Sequence, residues 1–367
     1  MQLINKENVI SGNNFSKYAD VVFSERVSSL NYPTLKKGHF YKIIEEVENN
    51  YSSDVWFINK QFTLRKNSTI FCKTEALELL FLLLKKIPKE YELNLITHQS
   101  DITITEKKYK NKPRCIKEWY AVNVSYANDH IHQIPLGISE NFRKKHLSTD
   151  YLDEMLENTI SDSEKKHLIY INYNQNTNER IRSKIFKKLR KSNFINLGLY
   201  GLEIQDYIND LKNNEYVLCP TGNGIDTYRL WETLIVGSNP VVNSVDNHLE
   251  FRNLPIYYFD KTEELDLDYL STKKDLINNL KNNNIDRRYL TTSYWMDSLS
   301  KAQNIESSLS DINIIIDENL EKKYFRKFFF LKNLKSNFKI FRYYVFQYLN
   351  ILNYLKFLFR KLKIKEN

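Results

Sequence analysis

The run Tyr216-Val-Leu-Cys-Pro-Thr-Gly-Asn-Gly-Ile-Asp-Thr-Tyr-Arg-Leu-Trp-Glu-Thr-Leu-Ile-Val-Gly-Ser-Asn-Pro-Val-Val242 reads as strand, glycine turn, helix, turn and strand. Tyr216 to Cys219 is a short apolar run stopped by Pro220, as in a buried strand. Gly222 and Gly224 bracket Asn223, which lets the backbone take positive φ or come close to a ligand. Asp226 stands where an N-cap belongs, and Leu230, Leu234 and Ile235 follow at helical spacing. Gly237 closes the helix before Pro240-Val-Val begins the next strand. A turn of this kind gathers backbone N–H groups at a positive helix end, which suits an anion such as phosphate.

Arg229 and Glu232 lie three apart on one face of that helix, one turn beyond the glycines. The guanidinium can grip a phosphate bidentately, and the carboxylate can accept hydroxyl hydrogens, as from a ribose. The plainer alternative is a surface ion pair worth a few tenths of a kcal/mol. The glycines and apolar flanks favour the ligand.

The segment Cys-Pro-x-Gly-Asn-Gly-Ile-Asp-x-x-Arg-x-x-Glu-x-Leu-x-x-Gly-x-x-Pro-Val-Val resembles the sugar-nucleotide signature of exostosin-like glycosyltransferases. The resemblance covers residues 90 to 260 and is strongest at 216 to 242. It implies a GT-B architecture of two Rossmann-like domains, with the signature in the C-terminal one. Thr221 departs from the pattern, where many members carry a basic residue. The donor contacts implied are Gly222, Asn223, Gly224, Asp226, Arg229 and Glu232.

The rest of the chain alternates strands with helical patterns, which indicates α/β architecture with parallel sheets. Asp20–Ser24, Asp54–Ile58, Thr69–Cys72, Leu93–His98, Trp119–Asn123 and Ile131–Ile138 read as strands. Helices are expected around Tyr41–Glu48 and from Thr74, as its cap, up to Pro88. A charged segment from Arg143 to Lys166 holds the expected boundary. A second set follows: Leu168–Asn172, a helix carrying Arg180, Ile181, Ile185, Phe186 and Leu189, then Phe194–Leu197, Glu203–Asn213 and Ile256–Phe259. The expected division is 1–150 for an acceptor-side domain, 151–318 for a donor domain, and 319–367 for a basic amphipathic helical tail.

Two further elements sit where ligands gather, beyond the carboxyl ends of strands. Thr97-His-Gln-Ser-Asp101 offers a base for an attacking hydroxyl: Asp101 foremost, with His98 as acceptor-positioning group or as the base itself. The bland alternative makes His98 a satisfied core histidine and Asp101 a cap. Exostosin-like sequences carry a similar His/Asp element. Asn172-Tyr-Asn-Gln-Asn-Thr-Asn-Glu-Arg180 resembles the element opening the donor domain of bacterial relatives, which implies Asn174, Thr177 and Arg180 as donor contacts. Asn123 and Gly137 are weaker acceptor-side candidates at strand ends, while Trp119 and Tyr120 read as core. Asp266-Leu-Asp268 suits solvated carboxylates better than a metal, and Cys72, Cys115 and Cys219 are too far apart for a disulfide framework or zinc site. No metal or cofactor is therefore expected beyond the nucleotide-sugar co-substrate.

The net charge of +9 is unevenly spread. Residues 319–367 hold 13 Lys/Arg against Glu321 and Glu366, a balance of +11 that leaves −2 on everything before them. A near-neutral globular part argues against nucleic acid. The tail interleaves Phe325, Phe328, Phe329, Phe330 and Leu331 with Lys322, Lys323, Arg326 and Lys327. Its longest uncharged run, Tyr343 to Leu355, is short of the ~20 residues that span a bilayer, so an anionic membrane surface is its expected partner. A terminal helical pair packed on the body is the alternative. No signal peptide is read at the N-terminus, and no membrane anchor of the kind usual in eukaryotic members. These readings give an inverting, metal-independent glycosyltransferase acting on a glycan or lipid-linked acceptor in cell-surface polysaccharide synthesis, of the bacterial branch, peripheral on the cytoplasmic face of the cell membrane. The competing classes are a non-catalytic nucleotide-binding module and a basic membrane- or nucleic-acid-binding adaptor.

Overall fold

A computed structural model describes residues 4–31, 40–144, 146–157, 160, 163–198, 201–243, 249–266, 268–272, 287–300, 309–331, 333–334 and 337. It is a mixed α/β structure in two compact units, Met1–Ile314 and Ile315–Asn367. Two large sheets lie in the first unit.

The first sheet comprises β1 (Val21–Ser28), β2 (Tyr41–Glu48), β3 (Ser53–Asn59), β5 (Thr69–Lys73), β6 (Leu93–His98), β7 (Ile116–Ala121) and β8 (Ile131–Gln133), ordered β2-β3-β1-β5-β6-β7-β8. The short strand β4 (Gln61–Leu64) stands outside it. From β1 to β8 the pairing is parallel, and β3 and β2 add an antiparallel edge. The expected helix at Tyr41–Glu48 is therefore a strand. Its pairing with β3 slips between Ile43 and Glu45, so the bulge at Ile44 puts Ile43, Ile44 and Val47 at spacings that imitate a helix.

The second sheet is wholly parallel: β9 (Lys166–Ile171), β10 (Ile195–Leu197), β11 (Asn214–Leu218), β12 (Asn239–Asn243) and β13 (Tyr257–Phe259), ordered β10-β9-β11-β12-β13. Period-2 alternation buries both of its faces. Ile169, Ile171, Tyr216 and Leu218 enter one core with Ile185 and Leu189, while Tyr170, Val217 and Cys219 enter another. That other core is shared with the first sheet, through Phe71, Ile96 and Tyr120, and with Leu136 beyond β8. Trp231 lies fully buried there, edge-on to Phe251 at 5.0 Å.

The helices that matter are α1 (Gly12–Ser16), α2 (Leu77–Leu84), α3 (Glu179–Leu189), α4 (Ile204–Asn213) and α5 (Tyr228–Ile235). Thr74 does not cap α2; it begins a 3₁₀ turn and donates its hydroxyl to the His98 carbonyl, 3.3 Å away. Trp119 and Tyr120 are buried in the core as expected. All three cysteines are free and buried. In the second unit residues 318–331 are helical, and the run Tyr343–Leu355 lies outside the described residues. No described helix is long and apolar enough to cross a membrane.

Candidate active site

In the second sheet the strand order reverses between β9 and β11, and ligands of open parallel sheets bind at such a reversal, outside the carboxyl ends of the strands. The segments leaving those two strands are 172–178 and 219–227, which contain most of the expected donor contacts.

The glycine loop is held by side chains rather than by glycine dihedrals. Neither Gly222 nor Gly224 has positive φ. Gly224 is needed for proximity, because a Cβ there would lie 2.9 Å from Asn123 Oδ1. Asn123, itself at φ 56°, donates Nδ2 to the Ser100 carbonyl (2.8 Å) and accepts the Asp226 N–H on Oδ1 (2.8 Å). It fastens the loop after β6 to the loop after β11. Asp226 is not the cap of α5; that place belongs to Thr227, which makes no side-chain cap bond. The Asp226 carboxylate accepts instead from Leu136 N (2.7 Å), Thr227 N (2.7 Å) and Trp231 Nε1 (2.8 Å). Burial pushes its pKa up to about 6 against those three donors. Gly137, at φ 71°, approaches the Ile10 carbonyl so closely that any Cβ would collide with it. Asn123 and Gly137 thus serve the framework.

Arg182 closes the other side of the loop. Its guanidinium donates to the carbonyls of Thr221 (3.1 Å), Pro220 (2.9 Å) and Asn174 (3.1 Å) and to Thr177 Oγ1 (2.6 Å). Asn178 adds a bond to the Gly222 carbonyl (3.1 Å), and Asn243 Oδ1 accepts the Thr221 N–H (2.7 Å). Burial and the neighbouring Arg229 charge lower the Arg182 pKa to about 10. Asn174 and Thr177 are therefore brought to the glycine loop. Arg180 is exposed, and Asn223 is exposed at the loop tip. The signal for Arg182 was present in the sequence: it stands three and seven residues before Ile185 and Leu189, on the buried stripe of α3.

Arg229 and Glu232 meet through Tyr207 on α4. Tyr207 donates its hydroxyl to Glu232 Oε2 (2.9 Å) and accepts from Arg229 Nε (3.2 Å). Glu232 is buried, and burial raises its pKa although the Arg229 charge opposes the shift. Tyr207 escaped the sequence reading because only the packing of α4 brings it to α5. Nearby, Tyr170 donates to Asp210 Oδ2 (2.8 Å) and accepts from Asn172 Nδ2 (2.9 Å).

On the first sheet, His98 is fully buried. Its Nδ1 accepts the Gln99 N–H (2.8 Å), which leaves Nε2 as the donor to the Pro135 carbonyl (3.0 Å). Burial lowers its pKa to about 4, and with both ring nitrogens engaged it stays neutral. Gln99 turns at φ 57°, and Asp101 beyond it is exposed. The Asp101 charge acts on Tyr228, the first residue of α5, and on Arg143. The structure thus brings Asp101 toward the helix that carries Arg229 and Glu232. Asp266 Oδ1 accepts the Tyr269 N–H (2.6 Å), the bond of a helix cap, and the described residues contain no cluster of three or more metal-ligating side chains.

Residues 138–283 match the family model of the RXYLT1 C-terminal domain, which belongs with the exostosin-like glycosyltransferases. The matched region holds the whole signature and both loops at the reversal point, and the match supports a glycosyltransferase. Among solved structures, a crystal structure of an alpha1,3-fucosyltransferase is similar at 11% identity and a TM-score of 0.35, over 66% of this chain and 79% of that chain. No curated protein matches.

Proposed function

We propose that the chain is an inverting glycosyltransferase of GT-B type that uses a nucleotide-diphosphate sugar. The observation that carries this reading is the Arg229–Tyr207–Glu232 array beside the Arg182-braced glycine loop at the strand-order reversal. Arg229 and the N-terminal end of α5 face the diphosphate, and Glu232 accepts from the nucleoside hydroxyls. Asp101 takes the proton of the acceptor hydroxyl as its oxygen attacks the anomeric carbon and the carbon–oxygen bond to the diphosphate breaks. The guanidinium and the helix end stabilise the charge leaving with the diphosphate, so the proposed reaction needs no metal.

The acceptor in this reading is a glycan or lipid-linked sugar of cell-surface polysaccharide synthesis, met at the cytoplasmic face of a bacterial membrane. The tail supports that setting, since Lys322, Lys323, Arg326 and Lys327 share residues 318–331 with Phe330, which is 63% exposed. Titration of nucleotide sugars by calorimetry tests the donor site. Arg229→Ala and Glu232→Ala should each weaken donor binding about tenfold or more, roughly 1.4 kcal/mol. Unchanged affinity in both variants would overturn the assignment. Cutting after Asp317 should abolish binding to anionic vesicles at low salt and leave donor affinity intact; vesicle binding that survives the cut removes the membrane role.

A further inference from the structure

Arg143 lies in the segment between the two sheets, inside the region matched by the family model. Its guanidinium sits 5.4 Å over the Tyr228 ring, and the His146 ring lies 6.4 Å from the same tyrosine. Tyr228 opens α5, and Arg229 is the next residue. The residue is half-buried, yet among the described residues it makes no ion pair within 4 Å. That separates it from Arg26, which pairs with both Asp54 and Glu45, and from Lys73, which pairs with Glu75. The charges of Glu140, Asp101 and Asp54 act on this guanidinium without closing on it as a salt bridge, which leaves its N–H groups available for bidentate phosphate binding.

We infer that Arg143 is the second cation of the donor site, gripping the diphosphate from the first-sheet side of α5 while Arg229 grips it from the other. This rests on the donor reading above and assigns it a residue from outside the signature. The electrostatics around His146 agree. His146 is exposed, and partial burial together with the charges of Arg143 and Arg229 lowers its pKa. One imidazole thus feels both guanidiniums, as an anion between them would with the opposite sign. Because one cation approaches from the first sheet and one from the second, diphosphate binding would hold Arg143 and Asp101 together against α5.

The test is calorimetric titration of the full chain with inorganic pyrophosphate, and with UDP, GDP and CDP, at fixed ionic strength. Arg143→Ala should weaken pyrophosphate binding about tenfold, and Arg143→Lys should recover part of it. Arg143→Gln serves if the alanine variant fails to fold, and melting curves check each variant. Arg190, an exposed residue at the end of α3, controls for the loss of one surface charge: Arg190→Ala should bind pyrophosphate as the wild type does. If Arg143→Ala and Arg143→Gln bind pyrophosphate like the wild type while Arg229→Ala does not, the inference falls and the donor reading stands. If the wild type binds neither pyrophosphate nor any of the three diphosphates, both fall together.

Discussion

The loop after β6 and the loop after β11 occupy equivalent places, at the carboxyl ends of parallel strands, and they are built in opposite ways. The second is over-determined: Arg182, Asn178, Asn243 and Asn123 all bond to its backbone, and Asp226 ties it to Leu136. The first is held as far as Ser100, by neutral His98 locked between Gln99 and Pro135, by Gln99 bonded to Arg26 and Asn13, and by Asn123 on the Ser100 carbonyl, while its tip residue Asp101 is left exposed. A site that receives a charge-bearing group gains from rigidity, because a preorganised cation and amide array needs no rearrangement when the ligand arrives. A residue that must reach a proton on an incoming acceptor gains from access instead.

The sharpest way to break this contrast is to remove the brace. Arg182→Ala leaves the Pro220 and Thr221 carbonyls without their donor, and at about 1–3 kcal/mol for each buried unsatisfied group the loss should be about 2–6 kcal/mol. Denaturant unfolding should show it as a lower midpoint at unchanged slope, and donor affinity should fall in the same variant. A variant as stable as the wild type would mean that the loop holds itself.

Asp101→Asn probes the open loop. It should lower kcat by about 10²-fold while melting temperature and donor affinity stay put, within the range for lost acid–base catalysis. Turnover near the wild-type rate would take the base role away from Asp101. Activity should persist in EDTA; loss on chelation with recovery on adding manganese would give the diphosphate's charge to a metal.

His98 supplies a pH test of the locked base of that loop. Its folded pKa of about 4 lies below the ordinary 6.5, so its contribution to stability is present above pH 6.5 and is lost as pH falls toward 4. His98→Gln keeps a donor for Pro135 but cannot titrate, so its stability should fall less steeply over that window. Identical slopes in urea titrations at pH 4.5, 5.5 and 6.5 would show that His98 is not neutral in the fold.

The smallest effect belongs to Arg180→Ala. The side chain is exposed, so stability should move by no more than about 0.5 kcal/mol and donor affinity by less than about twofold. A tenfold weaker donor would restore it as a ligand and move the comparison back to α3.

These cases show what was legible in the chain. The strands of both sheets announced themselves through short apolar runs, and the signature loop through its glycines, because those features are local. The bulge at Ile44 hid a strand, since one extra residue turns period 2 into spacings of a helix. In the candidate site, Arg229 and Glu232 were expected from helical spacing and Asn174 and Thr177 from a resemblance, and the structure brings Asn174 and Thr177 to the glycine loop through Arg182. Tyr207 and Arg143 reach the site only through packing between elements distant in the chain, and no window of sequence contains them together with the glycines. Asp226 was misjudged for the same reason: as a cap it would have been local, but its partner Leu136 is 90 residues away.

The core shared by the two sheets limits how this molecule can be rearranged. Ile96 and Tyr120 of the first sheet, with Leu136 after β8, close over the same interior as Val217 of the second sheet and Leu230 and Trp231 of α5, and Ile10 is hydrogen-bonded to Leu290. A fragment cut near residue 150 would carry half of that interior open to water, and its partner the other half. Recombining halves from different relatives to change sugar preference would therefore fail at the seam unless Asn123, Leu136 and Asp226 travelled as a set. New specificity is more readily reached by substitutions at the exposed rim around Asn223, whose side chain stands at the loop tip.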